Sequence, residues 1–335
     1  MRAAVVWLLA GQFLAGQVPR ISLVDFYGLR RVSEYRARQA LAVKEGDPLP
    51  PSKAAVEERL EGLDGVVLAR VEAVCCEADG AMLFVGVEEK GAPHFEVRAA
   101  PASSSVLSEA LVEKYGAFLE LYERSARPGQ DSESLARGYA LSSIPEVRAY
   151  QESFVELAEA EAASLREVLR ESAEPEHRAI AAYLTGYAPD RRSAVETLQY
   201  ALQDPEATVR HTALRALAAI AVFASRNPDA GLRIAPTWPV EMLNSLILGD
   251  RTQAAEFLVL LTENRDAAIL DRIRERALDS IVEMARWKSL RYALPAYVLL
   301  GRMAGLPESQ IEETWSKGGR EDVISKAVPK LRRRD

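Results

Sequence analysis

The second half of the chain repeats one helical pattern. Asp204-Pro205 offers a helix cap and a first-turn proline, and an apolar stripe follows at helical spacing, through Val209, Ala213, Leu217 and Ile220. A weaker copy precedes it, in which Glu174-Pro175 stands before Arg178 as Asp204-Pro205 stands before Arg210. Helix pairs that recur about every 30–45 residues are typical of an α-solenoid, in which each pair buries its apolar face against the next.

Later segments fit this period more loosely. We expect Trp238–Leu248 to pair with Arg251–Leu261, and Leu270–Trp287 to pair with Leu294–Met303. The pattern therefore predicts four stacked helix pairs over residues 175–305.

The stretch from Asp204 to Arg210, continued by Ala213 and Ala216-Leu217, resembles the second-helix motif of bacterial HEAT-like repeats. The resemblance implies a helical solenoid that binds proteins. It also implies that Asp204 and Arg210 are structural residues of the repeat, which stabilise the stack. Contact of these two residues with a ligand is the alternative interpretation.

The N-terminal region alternates short strands and helices. Its pattern predicts a strand at Ile21–Phe26 that ends at Gly28, and a helix after a Ser33 cap. A second helix is predicted at Ser52–Leu63, with Ser52 as its cap. Two further strands are predicted at Val66–Glu77 and Ala81–Glu88, joined by a tight turn at Asp79-Gly80.

This β-α-α-β-β order resembles the POTRA module of outer-membrane assembly proteins. The matching segments are 24–28 (Val-Asp-Phe-Tyr-Gly), 43–48 (Val-Lys-Glu-Gly-Asp-Pro) and 85–89 (Val-Gly-Val-Glu-Glu). The resemblance implies a central third strand, binding of other chains at a sheet edge and an absence of catalytic residues. The expected fold class is α+β, a small POTRA-like domain followed by an all-α HEAT-like solenoid.

The second predicted strand is the expected docking edge for a protein partner. Its candidate binding residues are Val67, Arg70, Val71 and Glu72. An edge strand presents N–H and C=O groups that an incoming strand can satisfy. The alternative is that residues 105–170 cover this edge, and the sequence leaves open whether Arg70 or Val71 points its N–H outward.

The first residues have the layout of a secretory signal peptide. Arg2 gives a positive start, an apolar stretch follows from Ala3 to Leu14, and small residues stand at Ala15-Gly16. We therefore expect export to the periplasm, with residues 1–17 removed, and no transmembrane segment in the mature chain. A buried first helix or strand is the alternative.

The rest of the chain is divided by composition. The predicted segments are a POTRA-like domain at 18–91, a linker at 92–104, a helical hairpin at 105–174, and a C-terminal helix with a basic tail at 306–335. The hairpin consists of one helix from Leu107 to Tyr122 and a long helix that starts at Pro145 and leads into Val168.

Composition and motifs exclude several kinds of activity. The net charge of −7 disfavours nucleic-acid binding, because an acidic surface repels phosphate. The motifs of nucleotide-binding loops, serine hydrolases and zinc proteases are missing, so no cofactor is expected. Cys75 and Cys76 are expected to be one buried and one exposed thiol on opposite faces of a strand, and a bridge between them, which needs a strained ring, is the alternative. His177 and His211 start successive repeat helices, where solvated histidines are expected rather than ligands of a shared metal.

These patterns favour a non-enzymatic scaffold or adaptor of the bacterial cell envelope, with protein partners. A regulator of an outer-membrane assembly machine is a special case of this function. The alternative is an enzyme or enzyme subunit of the bilin-lyase type, because some bacterial HEAT-like repeats occur in such enzymes. Trp238 and Trp287 are expected in the core, with a groove as the alternative.

Overall fold

The computed structural model describes residues 19–77, 80–126 and 132–333, with the side chains of Cys76 and Glu77 left out. The predicted signal peptide lies outside the described residues. The chain divides into two compact units, with the boundary between Lys90 and Gly91.

The described part of the N-terminal unit contains one three-stranded sheet and two helices. Its elements are β1 (Ile21–Tyr27), α1 (Glu34–Leu41), α2 (Lys53–Glu61), β2 (Val66–Glu77) and β3 (Gly80–Glu89). Strand β3 is central, with β1 parallel to it on one side and β2 antiparallel on the other. The Ser33 and Ser52 side chains cap α1 and α2 by accepting backbone N–H bonds from the first helical turn. The predicted order of elements is confirmed.

The core of this unit lies between the sheet and the two helices. Its fully buried members include Val24, Leu41, Leu60, Leu83 and Val85. At the end of β1 the backbone turns through Gly28, which has a φ of +82°, and a Cβ atom there would lie 2.0 Å from the Val87 carbonyl oxygen. Only glycine fits this turn, as the sequence pattern predicts.

A buried carboxylate fixes the loop between β1 and α1. Glu89, at the end of β3, accepts the backbone N–H groups of Arg30, Arg31 and Val32 at 2.8, 2.8 and 3.0 Å. Burial alone would raise the pKa of the Glu89 carboxyl, but the three hydrogen bonds and the Arg30 charge outweigh it and hold the pKa below its ordinary value.

Cys75 differs from the expectation drawn from the sequence. Its side chain is exposed on β2 and is disulfide-bonded. The prediction of a thiol is therefore wrong for this residue.

The C-terminal unit is helical apart from one two-residue strand pair. Its first elements are α3 (Glu109–Ser125), β4 (Glu133–Ser134), β5 (Leu141–Ser142), α4 (Pro145–Ala160), α5 (Ala162–Glu171), α6 (Pro175–Thr185), α7 (Arg191–Ala201) and α8 (Ala207–Arg226). A short 3₁₀ helix, Pro228–Ala230, follows. The later elements are α9 (Thr237–Met242), α10 (Leu248–Leu261), α11 (Ala267–Ala285), α12 (Leu290–Met303), α13 (Glu308–Ser316) and α14 (Arg320–Arg332).

Helices α5 to α12 form four antiparallel pairs. In each pair the second helix packs on its own partner and on the second helix of the next pair, so that α6, α8, α10 and α12 form one continuous layer. The first pair begins at Ala162, so the predicted boundary at 175 falls between its two helices. The predicted α+β class, with a small sheet domain followed by a solenoid-like helical region, is confirmed.

Two predicted helices are shorter than expected. The helix from Pro145 ends at Ala160, where Glu161 leaves helical geometry and α5 begins. The segment Trp238–Leu248 is helical only up to Met242, because the residues that follow form a turn ahead of α10. Periodicity alone does not detect these breaks, since the apolar pattern continues through both.

Among the described residues, α8 alone has the length and hydropathy of a membrane-spanning helix, and 44% of its most apolar window is buried in the protein. It lies in the continuous layer between α6 and α10. A core helix of a globular protein has the same composition, so this finding is weak evidence for a membrane span.

Candidate functional site

The turns inside the first three helix pairs share one local structure. The candidate site lies along these turns. Ser172, Asp204 and Ser245 each lie in the turn that leads into the second helix of a pair. Each side-chain oxygen accepts the backbone N–H two residues later, at 2.9–3.1 Å. Such side-chain turns fix the backbone ahead of a helix start. Asp204 was expected to cap α8 directly, but the residue at the cap is Glu206.

An arginine follows each of these residues after six positions. Arg178, Arg210 and Arg251 donate to the backbone carbonyls of Ser172, Asp204 and Ser245 at 2.9, 2.7 and 2.5 Å. The three arginines are only 2–3% exposed. Each guanidinium therefore satisfies a carbonyl oxygen that lies in a turn and has no helical partner.

The same arginines join each helix pair to the next. Arg178 binds both carboxylate oxygens of Asp204, at 2.8 and 2.9 Å. Arg210 binds both oxygens of Asp250, at 2.6 and 3.0 Å. Arg251 reaches Glu283 of the fourth pair at 3.2 Å. We call this series the arginine ladder, defined by Arg178, Asp204, Arg210, Asp250 and Arg251.

Asp250 has three different side-chain partners. Besides Arg210, it accepts the Ser245 hydroxyl at 2.7 Å and lies 2.9 Å from His211 Nε2. Burial alone would raise the pKa of Asp250, but the hydrogen bonds and charges of His211 and Arg210 outweigh it and hold the pKa below its ordinary value. The carboxylate is therefore ionised at neutral pH, as a bidentate pair requires.

The segment 92–107, which we call the strap, runs in an extended conformation along these turns. Its backbone N–H at Arg98 donates to the carbonyl of Gln203 at 2.8 Å, and its N–H at Ser103 donates to the carbonyl of Glu171 at 3.0 Å. Gln203 directly precedes Asp204, and Glu171 directly precedes Ser172. Equivalent carbonyls of two successive pairs therefore bind the strap. The predicted linker at 92–104 is a hydrogen-bonded part of the helical unit.

The Arg98 side chain enters the ladder. It donates to Asp204 at 2.8 Å and to the Tyr200 carbonyl at 2.6 Å, and its guanidinium lies 3.9 Å from the centre of the Tyr200 ring. Asp204 thus binds two arginines, Arg178 from the preceding repeat and Arg98 from the strap. Burial lowers the pKa of Arg98, and Asp204 opposes this effect. Arginine still remains protonated, so the pair is ionic.

Two further contacts anchor the strap towards α3. The Ser105 hydroxyl donates to Glu167 at 2.8 Å, and the Leu107 N–H donates to Nδ1 of His177 at 3.0 Å. His177 and His211 are thus engaged in separate structural bonds. Within residues 19–77, 80–126 and 132–333, no group of three His, Cys, Asp or Glu side chains could hold a metal ion.

The two tryptophans singled out from the sequence lie in different environments. Trp287 is 2% exposed and belongs to the core. Trp238 is half-buried and lines an open groove of about 690 Å³ between the strap and helices α9 and α11. The expectation of core packing is therefore correct for Trp287 and wrong for Trp238.

The four candidate binding residues of the N-terminal unit lie on β2, which is an edge strand of the sheet. Val71 faces the core, whereas Val67 is 56% exposed near the start of the strand. Arg70 and Glu72 alternate with them and are half-buried. This arrangement leaves Val67 as the apolar contact available to a partner.

The outer N–H groups in the middle of β2 already have acceptors. Ala69 N–H donates to Glu61 at 3.0 Å, and Val71 N–H donates to Glu57 at 2.9 Å. Both glutamates belong to α2. It is therefore Val71, and not Arg70, that points its N–H away from β3, and helix α2 covers this part of the edge.

The third copy of the turn and the role of Arg98 were not predicted from the sequence. The signal for the third copy is the Ser or Asp residue six positions before an arginine, which recurs at Ser245 and Arg251. Arg98 carries no such signal, because its partners lie about a hundred residues away in the chain.

The ladder predicts a large stability effect for Arg210→Ala. Removing the guanidinium leaves Asp250 buried without its main counter-charge, which should lower the free energy of unfolding by about 3–5 kcal/mol. Arg226→Ala, at the exposed end of the same helix, is the matched control and should change the free energy of unfolding by less than about 0.5 kcal/mol. Urea denaturation measures both, and equal midpoints for the two variants would contradict the role given to Arg210.

The lowered pKa of Asp250 predicts a pH dependence of stability. A carboxyl group whose pKa is lower in the folded state than in the unfolded state stabilises the protein at pH values above its unfolded-state pKa. This stabilisation is lost as the pH falls through the folded-state pKa. The stability difference between wild type and Asp250→Asn should therefore be greatest near pH 7 and shrink below about pH 4. A difference that stays constant between pH 7 and pH 3 would contradict this assignment; Asp229→Asn, an exposed carboxylate, is the control.

The covered edge predicts self-association when the two glutamates are removed. The double variant Glu57→Ala/Glu61→Ala frees two N–H groups of β2, each at a cost of about 1 kcal/mol, and exposes an edge for pairing. Sedimentation velocity should show concentration-dependent dimers. Glu58→Ala, an exposed position on the same helix, should remain like wild type. A double variant that stays monomeric would show that the glutamates do not guard the edge.

Part of the helical unit is similar to a known family of repeats. No curated protein sequence matches the chain. Residues 162–231 match the family model for HEAT repeats, and this segment contains α5 to α8, the first two helix pairs. The turns that carry Arg178, Asp204 and Arg210 thus lie within the segment that is similar to HEAT repeats.

Proposed function

We propose that this protein is a non-enzymatic scaffold of the bacterial cell envelope, which binds protein partners along the turns of its helical repeats. The observation that carries the proposal is the strap. Two successive HEAT-repeat turns hold it as an extended chain, through equivalent carbonyl oxygens and the half-buried Arg98. These turns therefore have the chemistry needed to bind an extended polypeptide.

The repeat architecture supports this function. Repeats that stack in one direction present the same turn at regular intervals, which suits them to binding extended segments. Main-chain hydrogen bonds supply affinity for any extended chain, and pockets for particular side chains supply selectivity. HEAT repeats are generally non-catalytic, which agrees with a scaffold.

The N-terminal unit supplies a second binding surface in this proposal. Its β-α-α-β-β order supports the proposal of a POTRA-like module, in which Val67, Arg70, Val71 and Glu72 of β2 would meet a partner strand. Because Glu57 and Glu61 occupy the central N–H groups, an incoming strand must displace them. Binding at this edge is therefore coupled to movement of two side chains of α2.

Export to the periplasm completes the proposal and rests on residues 1–17. A basic start followed by a short apolar stretch is the pattern of a cleaved signal peptide. We expect a mature N-terminus between Gly16 and Ile21. N-terminal sequencing after cell fractionation tests this step, and a cytoplasmic protein that begins at Met1 would contradict export.

Site-specific photocrosslinking in intact cells tests partner binding. A benzophenone amino acid is placed at Trp238 in the groove, at Val67 on β2 and, as the control, at Leu290, which is 53% exposed on α12. We expect a discrete crosslinked protein at Trp238 or at Val67, and none at Leu290. The absence of a crosslinked protein at both test positions would contradict the scaffold function, and a bound tetrapyrrole absorbance in the purified protein would favour the bilin-lyase alternative.

A further inference from the structure

The third turn of the series is built like the first two, but the strap does not bind it in the same way. Ser245 and Arg251 repeat the local structure, and the carbonyl that corresponds to Glu171 and Gln203 belongs to Asn244. In the part of the chain that the structure describes, no strap N–H donates to this carbonyl. The strap instead leaves the row of turns and forms one wall of the groove.

The groove beside the third turn is acidic and has an aromatic wall. Its lining includes His94 and Glu96 from the strap, Trp238 and Glu241 from α9, and Glu275 and Arg276 from α11. The Arg276 guanidinium donates hydrogen bonds of 2.9 and 3.2 Å to the two carboxylate oxygens of Glu241, so these two charges offset each other. Glu96 lies 3.3 Å from His94, and Glu275 is exposed. The remaining charge of the groove is negative.

The strap indicates which side chain binds at a site that combines an aromatic ring with a carboxylate. At the second turn, Arg98 stacks on an aromatic ring, Tyr200, and donates to a carboxylate, Asp204, while its own N–H binds the turn carbonyl. The groove offers the first two of these elements, the Trp238 ring and the Glu275 carboxylate. The turn residue in its lining is Gln203, whose carbonyl already binds the Arg98 N–H.

We propose that this groove binds an extended peptide segment of a protein partner through an arginine of that segment, which stacks on Trp238 and pairs with Glu275. The inference rests on the proposed scaffold function and names the chemistry of the partner. Arginine suits the site better than lysine, because a planar guanidinium stacks on a ring and donates to a carboxylate at the same time.

A peptide copied from the strap is the probe. Residues 96–103, Glu-Val-Arg-Ala-Ala-Pro-Ala-Ser, carry the arginine in its observed extended setting. A fluorescein-labelled peptide of this sequence is titrated with the full chain and followed by fluorescence anisotropy. We expect saturable binding that weakens at least tenfold when Arg98→Glu is made in the peptide, and less when Arg98→Lys is made.

Protein variants locate the binding. Glu275→Lys changes an exposed residue of the groove and should weaken binding at least tenfold without altering the melting temperature, and Trp238→Ala should do the same if it remains folded. Glu312→Lys, an exposed glutamate on α13, is the matched control and should bind like wild type. Loss of binding in Tyr200→Ala with full binding in Glu275→Lys would show that the peptide exchanges with the strap, and it would overturn the proposal.

Failure of this inference can be told from failure of the scaffold function. A partner that crosslinks at Trp238, combined with a peptide that binds equally well with or without its arginine, would overturn the arginine-specific groove alone. No saturable binding of the peptide would overturn it as well. The scaffold function depends on the crosslinked partner and not on this peptide.

Discussion

The buried bidentate pair between an arginine and an aspartate is the interaction on which the helical unit depends. Each turn between two helices leaves carbonyl oxygens without helical partners, and burial makes that costly. Arg178 and Arg210 satisfy the carbonyls of their own turns and bind the carboxylate of the next pair with the rest of the guanidinium. A single residue thereby fixes both the turn and the spacing between repeats.

The same carboxylates explain why a segment with the composition of a linker becomes ordered. Asp204 is fully buried and already binds Arg178, yet it has lone pairs directed towards the strap, where Arg98 donates to one of its oxygens. A buried charge shared between two cations is better compensated than one that binds a single cation. The strap therefore completes the ladder at its second turn, where its backbone and the Arg98 side chain both bind.

Local signals account for the parts of the structure that the sequence predicts. Serine caps at Ser33 and Ser52, the turn at Gly28 and the apolar alternation of the strands depend on neighbouring residues, and they give the N-terminal unit in its observed order. The repeat motif at Asp204 and Arg210 is local in the same sense. Long-range pairing carries no such signal. Five helices, α3 to α7, separate Arg98 from Asp204 in the chain, and Glu57 reaches Val71 across a helix–strand turn, so neither contact could be predicted.

The third copy of the turn shows a different limit. Between its two ends the third copy reads Leu-Ile-Leu-Gly-Asp, whereas the second copy reads Pro-Glu-Ala-Thr-Val and carries the proline of a helix start, which the third copy does not have. The conserved physical requirement is a short side chain that accepts the N–H two residues later, together with an arginine six positions on. Two residues in seven are too few to distinguish a repeat from chance in a single sequence.

Hydrogen exchange in the strap tests the central claim most directly. Mass spectrometry of overlapping fragments of the full chain resolves residues 92–107, for wild type and for Arg98→Ala. If the repeat turns hold the strap as a bound peptide, the amides of Arg98 and Ser103 exchange slowly in wild type, as those of neighbouring helices do, and much faster in the variant. Uniformly fast exchange across the wild-type strap would contradict the account, because the segment would then be a free linker.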